Sequence, residues 1–298
     1  MKAGYAPGWF WQEWFQAGRA AQNMLSERMA NTAEVASDHI PLFLETGQNL
    51  IIRLSEDARL QTSDRLLIQT ALADSAKTFP FFDHLVVLDS QMTILTKYPD
   101  DPTLQPEFDF EEKVSIQMAL NGVFPFDYIP IEPTEGHTAA DISFIAPIQM
   151  GSQPKRLVIA RANLENNPIS SSILTSLRNF SGEDGASFIL DDHDRILMHS
   201  EAEEVLKEYD GPKSETGAFF DHISPNGTRQ YVYFLPVSGR PWKVVLVAPA
   251  ARAQQIAIEI ASPLLILIVI VSILGIIITR MGLKVVTASL NTLATQAG

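Results

Sequence analysis

The stretch His84–Pro99, HLVVLDSQMTILTKYP, has a counterpart at Ala186–Glu201, ASFILDDHDRILMHSE. Each reads as an apolar strand, an aspartate (Asp89, Asp191), a short polar turn, and an Ile-Leu pair that opens the next strand (Ile94-Leu95, Ile196-Leu197). Aliphatic runs broken by Asp-containing turns are strand–turn–strand signals. A second match follows in the same order. ISFIAPIQMGSQPKRLVIARA (142–162) sits beside YVYFLPVSGRPWKVVLVAPA (231–250). Both have an apolar strand reaching Pro147 or Pro236, a Gly-containing turn, a Lys, and a final Val-rich strand. The offsets are about 100 and about 90 residues, the size of one small domain. Two matches in order predict duplicated α/β modules in tandem.

Helical patterns surround the strands. Residues 14 to about 60 predict a long helix, with Leu25, Met29, Thr32, Val35 and Ala36 at helical spacing. Pro41 predicts a kink or break in it. TSDRLLIQTALADSAKTF (62–79) predicts a second helix, capped by Ser63 or Asp64 and ended by Pro80. FEEKVSIQMALNG (110–122) predicts a third, with Gly122 past its end, and PISSSILTSLRNF (168–180) a fourth. The fold class is α+β: a long N-terminal helix, two tandem antiparallel-sheet modules, then one transmembrane helix. The expected divisions are 1–62, 63–168, 169–252, 256–279 and 280–298.

The last helix is expected to cross a membrane. Ile260 to Thr279 carries no charge and is mostly Ile, Leu and Val. About 20 apolar residues in a helix match a hydrocarbon core of roughly 30 Å. Arg280 and Lys284 follow, and no acid occurs from Arg280 to Gly298. Basic flanks mark the cytoplasmic side. The expectation is a protein of the inner (plasma) membrane, residues 1–255 extracytoplasmic and the tail cytoplasmic. No secretory signal peptide is visible. Trp9, Phe10, Trp11, Trp14 and Phe15 look like an interfacial aromatic belt. They suggest that a membrane helix precedes Gly8 and that this sequence is part of a longer one.

Composition and motifs exclude much chemistry. The net charge is −13, which disfavours nucleic acid as a partner. There is no cysteine, hence no disulfide, thiolate nucleophile or zinc-thiolate site. No His-Glu-x-x-His, Gly-x-Ser-x-Gly or phosphate-binding Gly-rich loop with Lys-Ser or Lys-Thr is present. Kinase, nucleotidyl cyclase and phosphatase motifs are also missing. Asp191–Asp194 (DDHD) could ligate a metal, but such a turn more often forms a solvated hairpin tip. No catalytic residue, metal or cofactor is assigned.

The duplicated order, GASFILDDHDRILMHS (185–200) and RPWKVVLVAP (240–249) around Trp242 resemble the extracytoplasmic double Cache sensor domains of bacterial transmembrane receptors. The resemblance covers roughly residues 20–255. SLNTLATQAG (289–298) is similar to the start of a HAMP linker, with Leu290, Leu293 and Ala297 in place and Ser289 where the family usually has proline. The resemblance implies two stacked PAS-like modules, one distal and one proximal to the membrane. It also implies a small-molecule ligand held in the distal module between its sheet and the helix and loops that cap it. Candidate ligand-binding residues there are Lys113, Gln117, Phe124, Phe126, Asp127, Tyr128, Asp141, Ser143 and Arg161. Aromatic walls with a few polar groups suit such a pocket. The amino-acid-binding branch carries an Arg–Trp–Tyr…Asp pattern in the capping helix. EEKVSIQMALNG has no Arg and no Trp, so the ligand class stays open. The expected partners are a small molecule, the membrane, a second copy in a homodimer, and a cytoplasmic signalling module of chemoreceptor, histidine kinase or cyclase type. The alternative reading is an exported, membrane-anchored scaffold or interaction module without a small ligand.

Overall fold

The computed structural model describes residues 8–101, 107–123, 128–133, 136–150, 154–183, 185–199, 201–214 and 218–296. The chain falls into two compact units, one of residues 26–249 and one comprising the chain up to Leu25 together with the chain from Ala250 onward.

Helix α1 (Gly8–Ser55) opens the chain and continues through Pro41 without a break. Proline removes one backbone donor and crowds the preceding turn. Here Ala36, Ile40, Phe43 and Leu44, on both sides of it, are buried, so packing holds the helical path. After a 3-10 turn at Ala58–Gln61 comes α2 (Arg65–Thr78). The Asp64 carboxylate caps it, accepting from the Leu66 N–H at 2.9 Å.

The first sheet contains β1 (His84–Asp89), β2 (Ile94–Tyr98), β3 (Tyr128–Ile131), β4 (Asp141–Gln149) and β5 (Pro154–Asn163), in the order β2-β1-β5-β4-β3. Helix α3 (Phe110–Leu120) lies in the chain between β2 and β3. Asp109 caps α3 by accepting from the Glu112 N–H at 2.7 Å, and Gly122 adopts φ +81 just past its end. Residues 128–131, not anticipated as a strand, form β3. The run YIPI is short and holds a proline, which only an edge strand tolerates, and β3 is an edge.

The second sheet repeats the first. Helix α4 (Ser171–Glu183) precedes β6 (Ala186–Leu190), β7 (Ile196–Met198), β8 (Ala218–Ile223), β9 (Arg229–Pro236) and β10 (Lys243–Pro249). Their order, β7-β6-β10-β9-β8, is that of the first sheet. The repeated aspartates do the same work. Asp89 Oδ1 accepts from the N–H groups of Gln91 and Thr93, both at 2.8 Å. Asp191 Oδ1 accepts from His193 at 2.9 Å and Arg195 at 2.8 Å. In each turn one non-glycine residue takes positive φ, Met92 at 62 and Asp194 at 59. A side-chain carboxylate that satisfies two turn donors offsets that conformation.

Each sheet has a helix-covered face. On one side of the first, Phe144 packs with Phe43, Phe81 and Phe82, ring centroids 5.8–6.2 Å apart. Such ring pairs contribute about 0.5–1.5 kcal/mol each beyond burial. The opposite side holds the cluster Val86, Leu88, Ile116, Ala119, Leu157 and Ile159, so α3 covers it. In the second sheet α4 covers the side bearing Ser187, whose hydroxyl donates to the Leu177 carbonyl at 2.8 Å. The other side carries Leu190, Val232, Phe234, Val245 and Val247 with Tyr209 on top.

The two modules meet along backbone and side chains. The Ala140 N–H donates to Leu197 O at 2.9 Å, and the His199 N–H to Thr138 O at 3.1 Å. Tyr128 sits edge-on to Trp242 at 5.2 Å, and Arg195 of the second module pairs with Glu111 of α3 at 3.0 Å.

In the other unit, α5 (Ala250–Gln296) is one continuous helix with Pro263 inside it. Ala253 and Ala257 are buried, whereas the side chains from Ile266 to Met281 are exposed. Among the described residues, no helix is long and apolar enough to cross a membrane. The segment 256–279, expected as a span, is part of this longer helix, with Arg252 before it and Glu259 inside it, 3.8 Å apart.

Candidate functional site

Alternate residues of a strand, and residues directly opposite across an antiparallel pair, share a face. Ser143 lies opposite Arg161, and Asp141 opposite Asn163. His84 is also opposite Arg161. Asp141, Ser143, Arg161, Asn163 and His84 therefore stand on one face of the first sheet. It is the face that carries Leu157 and Ile159 and that α3 covers.

Helix α3 completes the group. Glu112 shares a stripe with Ile116 and Ala119, at i, i+4 and i+7, and all three are buried. Its side chain is 0 % exposed. Glu112 Oε1 accepts from Ser143 Oγ at 2.6 Å and Arg161 Nε at 3.1 Å, and Oε2 accepts from an Arg161 terminal nitrogen at 2.6 Å. Arg161 also donates to the Glu107 carbonyl at 2.7 Å and lies over the Phe108 ring at 5.4 Å. A carboxylate out of water is stable only when it is paired and hydrogen-bonded, and here every partner is in place.

Two residues along β5, a second cluster forms. The Asn163 side-chain amide donates to Asp141 and to the Ala139 carbonyl, the latter at 3.1 Å. The Asn163 N–H donates to Asp83 Oδ2 at 2.8 Å. Burial pushes the Asp83 carboxyl above the usual range. The hydrogen bond from Asn163 opposes this, and the nearby Asp141 charge adds to it.

Of the residues singled out from sequence, Asp141, Ser143 and Arg161 come together on this face. Lys113 and Gln117 are exposed on α3, away from the Glu112–Ile116–Ala119 stripe. Tyr128 points to the module junction, against Trp242 and under the Arg240 guanidinium at 5.8 Å. Phe124, Phe126 and Asp127 lie outside the described residues. The side chains of the expected aromatic belt, Trp9 to Phe15, also lie outside them. Glu112, Asn163 and Asp83 were not anticipated. Glu112 had a signal, since it is the acid of FEEK spaced for the apolar stripe of Ile116 and Ala119. In the DDHD turn Asp191, Asp192 and His193 come close enough for a shared ion. Asp191 is already engaged, however: its Oδ2 also accepts from Arg195 Nε at 2.7 Å.

No family model matches the sequence, and no curated protein does. Solved structures do match. The ligand-binding domain of the Pseudomonas aeruginosa PAO1 amino acid chemoreceptor PctB, in complex with L-Arg, is 18% identical with a TM-score of 0.60, covering 80% of this chain and 93% of that one. The ligand-binding domain of the Pseudomonas fluorescens chemoreceptor CtaA, with L-isoleucine, is 20% identical with a TM-score of 0.55, covering 80% and 97%. That of the Pseudomonas aeruginosa PAO1 chemoreceptor PctC, with GABA, is 23% identical with a TM-score of 0.54, covering 76% and 98%. The long first helix, the two sheets of identical strand order and these neighbours together give the chain the double Cache fold of chemoreceptor ligand-binding domains.

Proposed function

We propose that the chain is the ligand-sensing and transmembrane signalling part of a bacterial receptor, with a small polar molecule bound on the α3-covered face of the first sheet. The observation that carries this is the polar group itself: Glu112, Asp141, Ser143, Arg161 and Asn163 converge where an apolar core would pack more simply. The neighbours of the same fold hold L-Arg, L-isoleucine and GABA. This supports amino acids and their amine or carboxylate analogues as the first panel to screen. A ligand that binds only the folded state at 100 times its Kd stabilises by about 2.7 kcal/mol. Thermal unfolding of the full chain with that panel should give at least one upward shift, lost in Arg161→Gln. A flat response across the panel would favour the ligand-free scaffold.

The remaining parts of the reading rest on sequence. Ile260–Thr279 crosses the membrane, with Arg280 and Lys284 at its inner end. Residues 1–255 are outside, and Ser289–Gly298 begins a HAMP-like linker to a cytoplasmic output. The receptor works as a homodimer. α5 begins at the residue after β10 ends, so the second module is joined to it without a loop. The chain has no cysteine, so single-cysteine variants can be labelled cleanly. In intact cells a membrane-impermeant maleimide should label Asp38→Cys and spare Thr287→Cys. Equal labelling of the two would remove the assigned topology.

A further inference from the structure

The second sheet has its own version of the candidate site, with different chemistry. Val232 lies opposite Val247 there, as Ser143 lies opposite Arg161 in the first sheet. Gln230 opposes Pro249, as Asp141 opposes Asn163. The polar pair is replaced by two valines, and the cation at Arg161 has no counterpart. Instead of a helix, the segment Tyr209–Pro212 lies over this face. A cavity of about 640 Å³ opens between that segment and β6, β8, β9 and β10, within the usual range for small-molecule sites, about 300–1,000 Å³.

Two features point to a ligand. Tyr209 is 4% exposed, lines the cavity, and its hydroxyl has no hydrogen-bond partner among the described residues. Leaving such a group unsatisfied costs about 1–3 kcal/mol, so the site stands to gain from a molecule that pairs with it. The charge is also one-sided. Asp210 lines the cavity, and among the described residues no Lys or Arg does. Phe188 stands 5.2 Å from the Tyr209 ring, so two aromatic rings wall the same space. Aromatic faces and a carboxylate attract cations, and nothing here neutralises an anion.

We propose that the second module carries its own site for a small organic cation, seated in the cavity between Tyr209 and strands β6, β9 and β10. An ammonium N–H donates to the Tyr209 hydroxyl oxygen, Asp210 supplies the counter-charge, and the apolar part of the ligand lies against Phe188 and Val247. His222 and Gln230, opposite each other on β8 and β9, close the polar end.

Calorimetric titration of the full chain in lipid nanodiscs with ethanolammonium, phenethylammonium and putrescine tests this, with phenylacetate as the anionic counterpart. At least one cation should bind saturably. Tyr209→Phe and Asp210→Asn should each weaken it about ten- to a hundredfold, the worth of a hydrogen bond to a charged group. Asp210 is exposed, so its variant keeps the test decisive whatever Tyr209→Phe does to stability. Binding of phenylacetate in preference to the cations, no saturation by any cation, or cation affinity unchanged in both variants would each overturn the proposal.

Discussion

Two sheets with one strand order and matching registers have been given opposite interiors. The first sets Ser143 against Arg161 and buries Glu112 over them, while the second sets Val232 against Val247 and lays Tyr209 across. The strand framework needs neither version. Turn aspartates, strand pairing and the helix on the far face are common to both modules, so they carry the fold. What differs is the other face, covered by α3 in the first sheet and crossed by Tyr209 in the second. A buried ion pair is weak evidence for stability, because well-packed apolar residues often do as well. Its presence in one copy and absence from the other shows that this strand framework can be built without it.

The largest expected effect breaks that difference from one side. Glu112→Ala leaves Arg161 and Ser143 without their acceptor and should cost about 3–5 kcal/mol in urea unfolding. The combined variant Glu112→Leu, Ser143→Val, Arg161→Val makes the first face resemble the second. It should recover to within about 1–2 kcal/mol of the parent while losing ligand-induced shifts. If the combined variant is as unstable as Glu112→Ala, the polar group is structural after all.

The paired turn aspartates come next. Asp191→Ala should cost about 2–4 kcal/mol, and Asp89→Ala about 1 kcal/mol. Both leave two turn N–H donors without their acceptor, but Asp191 is 0% exposed and also holds Arg195. Equal losses would show that the Arg195 bond adds nothing.

Glycine substitutions compare the far faces. A Cβ on Gly47 would meet the Phe144 ring at 2.4 Å, and one on Gly185 the Val247 carbonyl oxygen at 1.9 Å. Overpacking of this kind costs about 1–3 kcal/mol. Gly185→Ala should sit at the upper end and Gly47→Ala at the lower, because a ring can shift and a strand carbonyl cannot.

The smallest effect is acid-dependent. Partial burial pushes the Asp194 carboxyl up, but hydrogen bonds from Lys243 and Lys213 more than offset this and hold it below the usual carboxylate range. Its contribution is therefore present above the unfolded aspartate pKa and is lost as pH falls through the folded value. Asp194→Asn should cost up to about 1 kcal/mol near neutrality and progressively less at acid pH, as the pH falls through the folded value. Asparagine accepts the positive φ there, so the backbone stays as it is. A loss that is the same at both pH values would exclude this ion pair as its source.

The duplication, the strand hairpins and most helix limits were legible because they depend on local pattern: aliphatic runs, Asp-containing turns, caps at Asp64 and Gly122. β3 was not, because YIPI is too short to show alternation and its proline argues against a strand until the neighbour is known. Within the candidate site, Asp141, Ser143 and Arg161 were singled out through the family resemblance, which points to the strands of the distal module. Glu112 was passed over, although its spacing to Ile116 and Ala119 marks the buried stripe, because an acid there reads as solvated until its partners Ser143 and Arg161 are known. Tyr128 reads as a pocket aromatic in sequence, but its partner, Trp242, is more than one hundred residues away and no local pattern announces it.

Glu111 and Glu112 are neighbours in the first turn of α3, yet one holds Arg195 of the second module and the other holds Arg161 inside the first. A peptide unit joins the two grips. Any ligand group that competes with Glu112 for Arg161 acts on a turn already tied to the next module, with a lever arm of one residue. The size of the transmitted effect is bounded by how differently the ligand binds the two positions of that turn. If the proposed ligand binds there, Glu111→Gln would cut the far grip alone, so that binding persists while its effect on the second module falls.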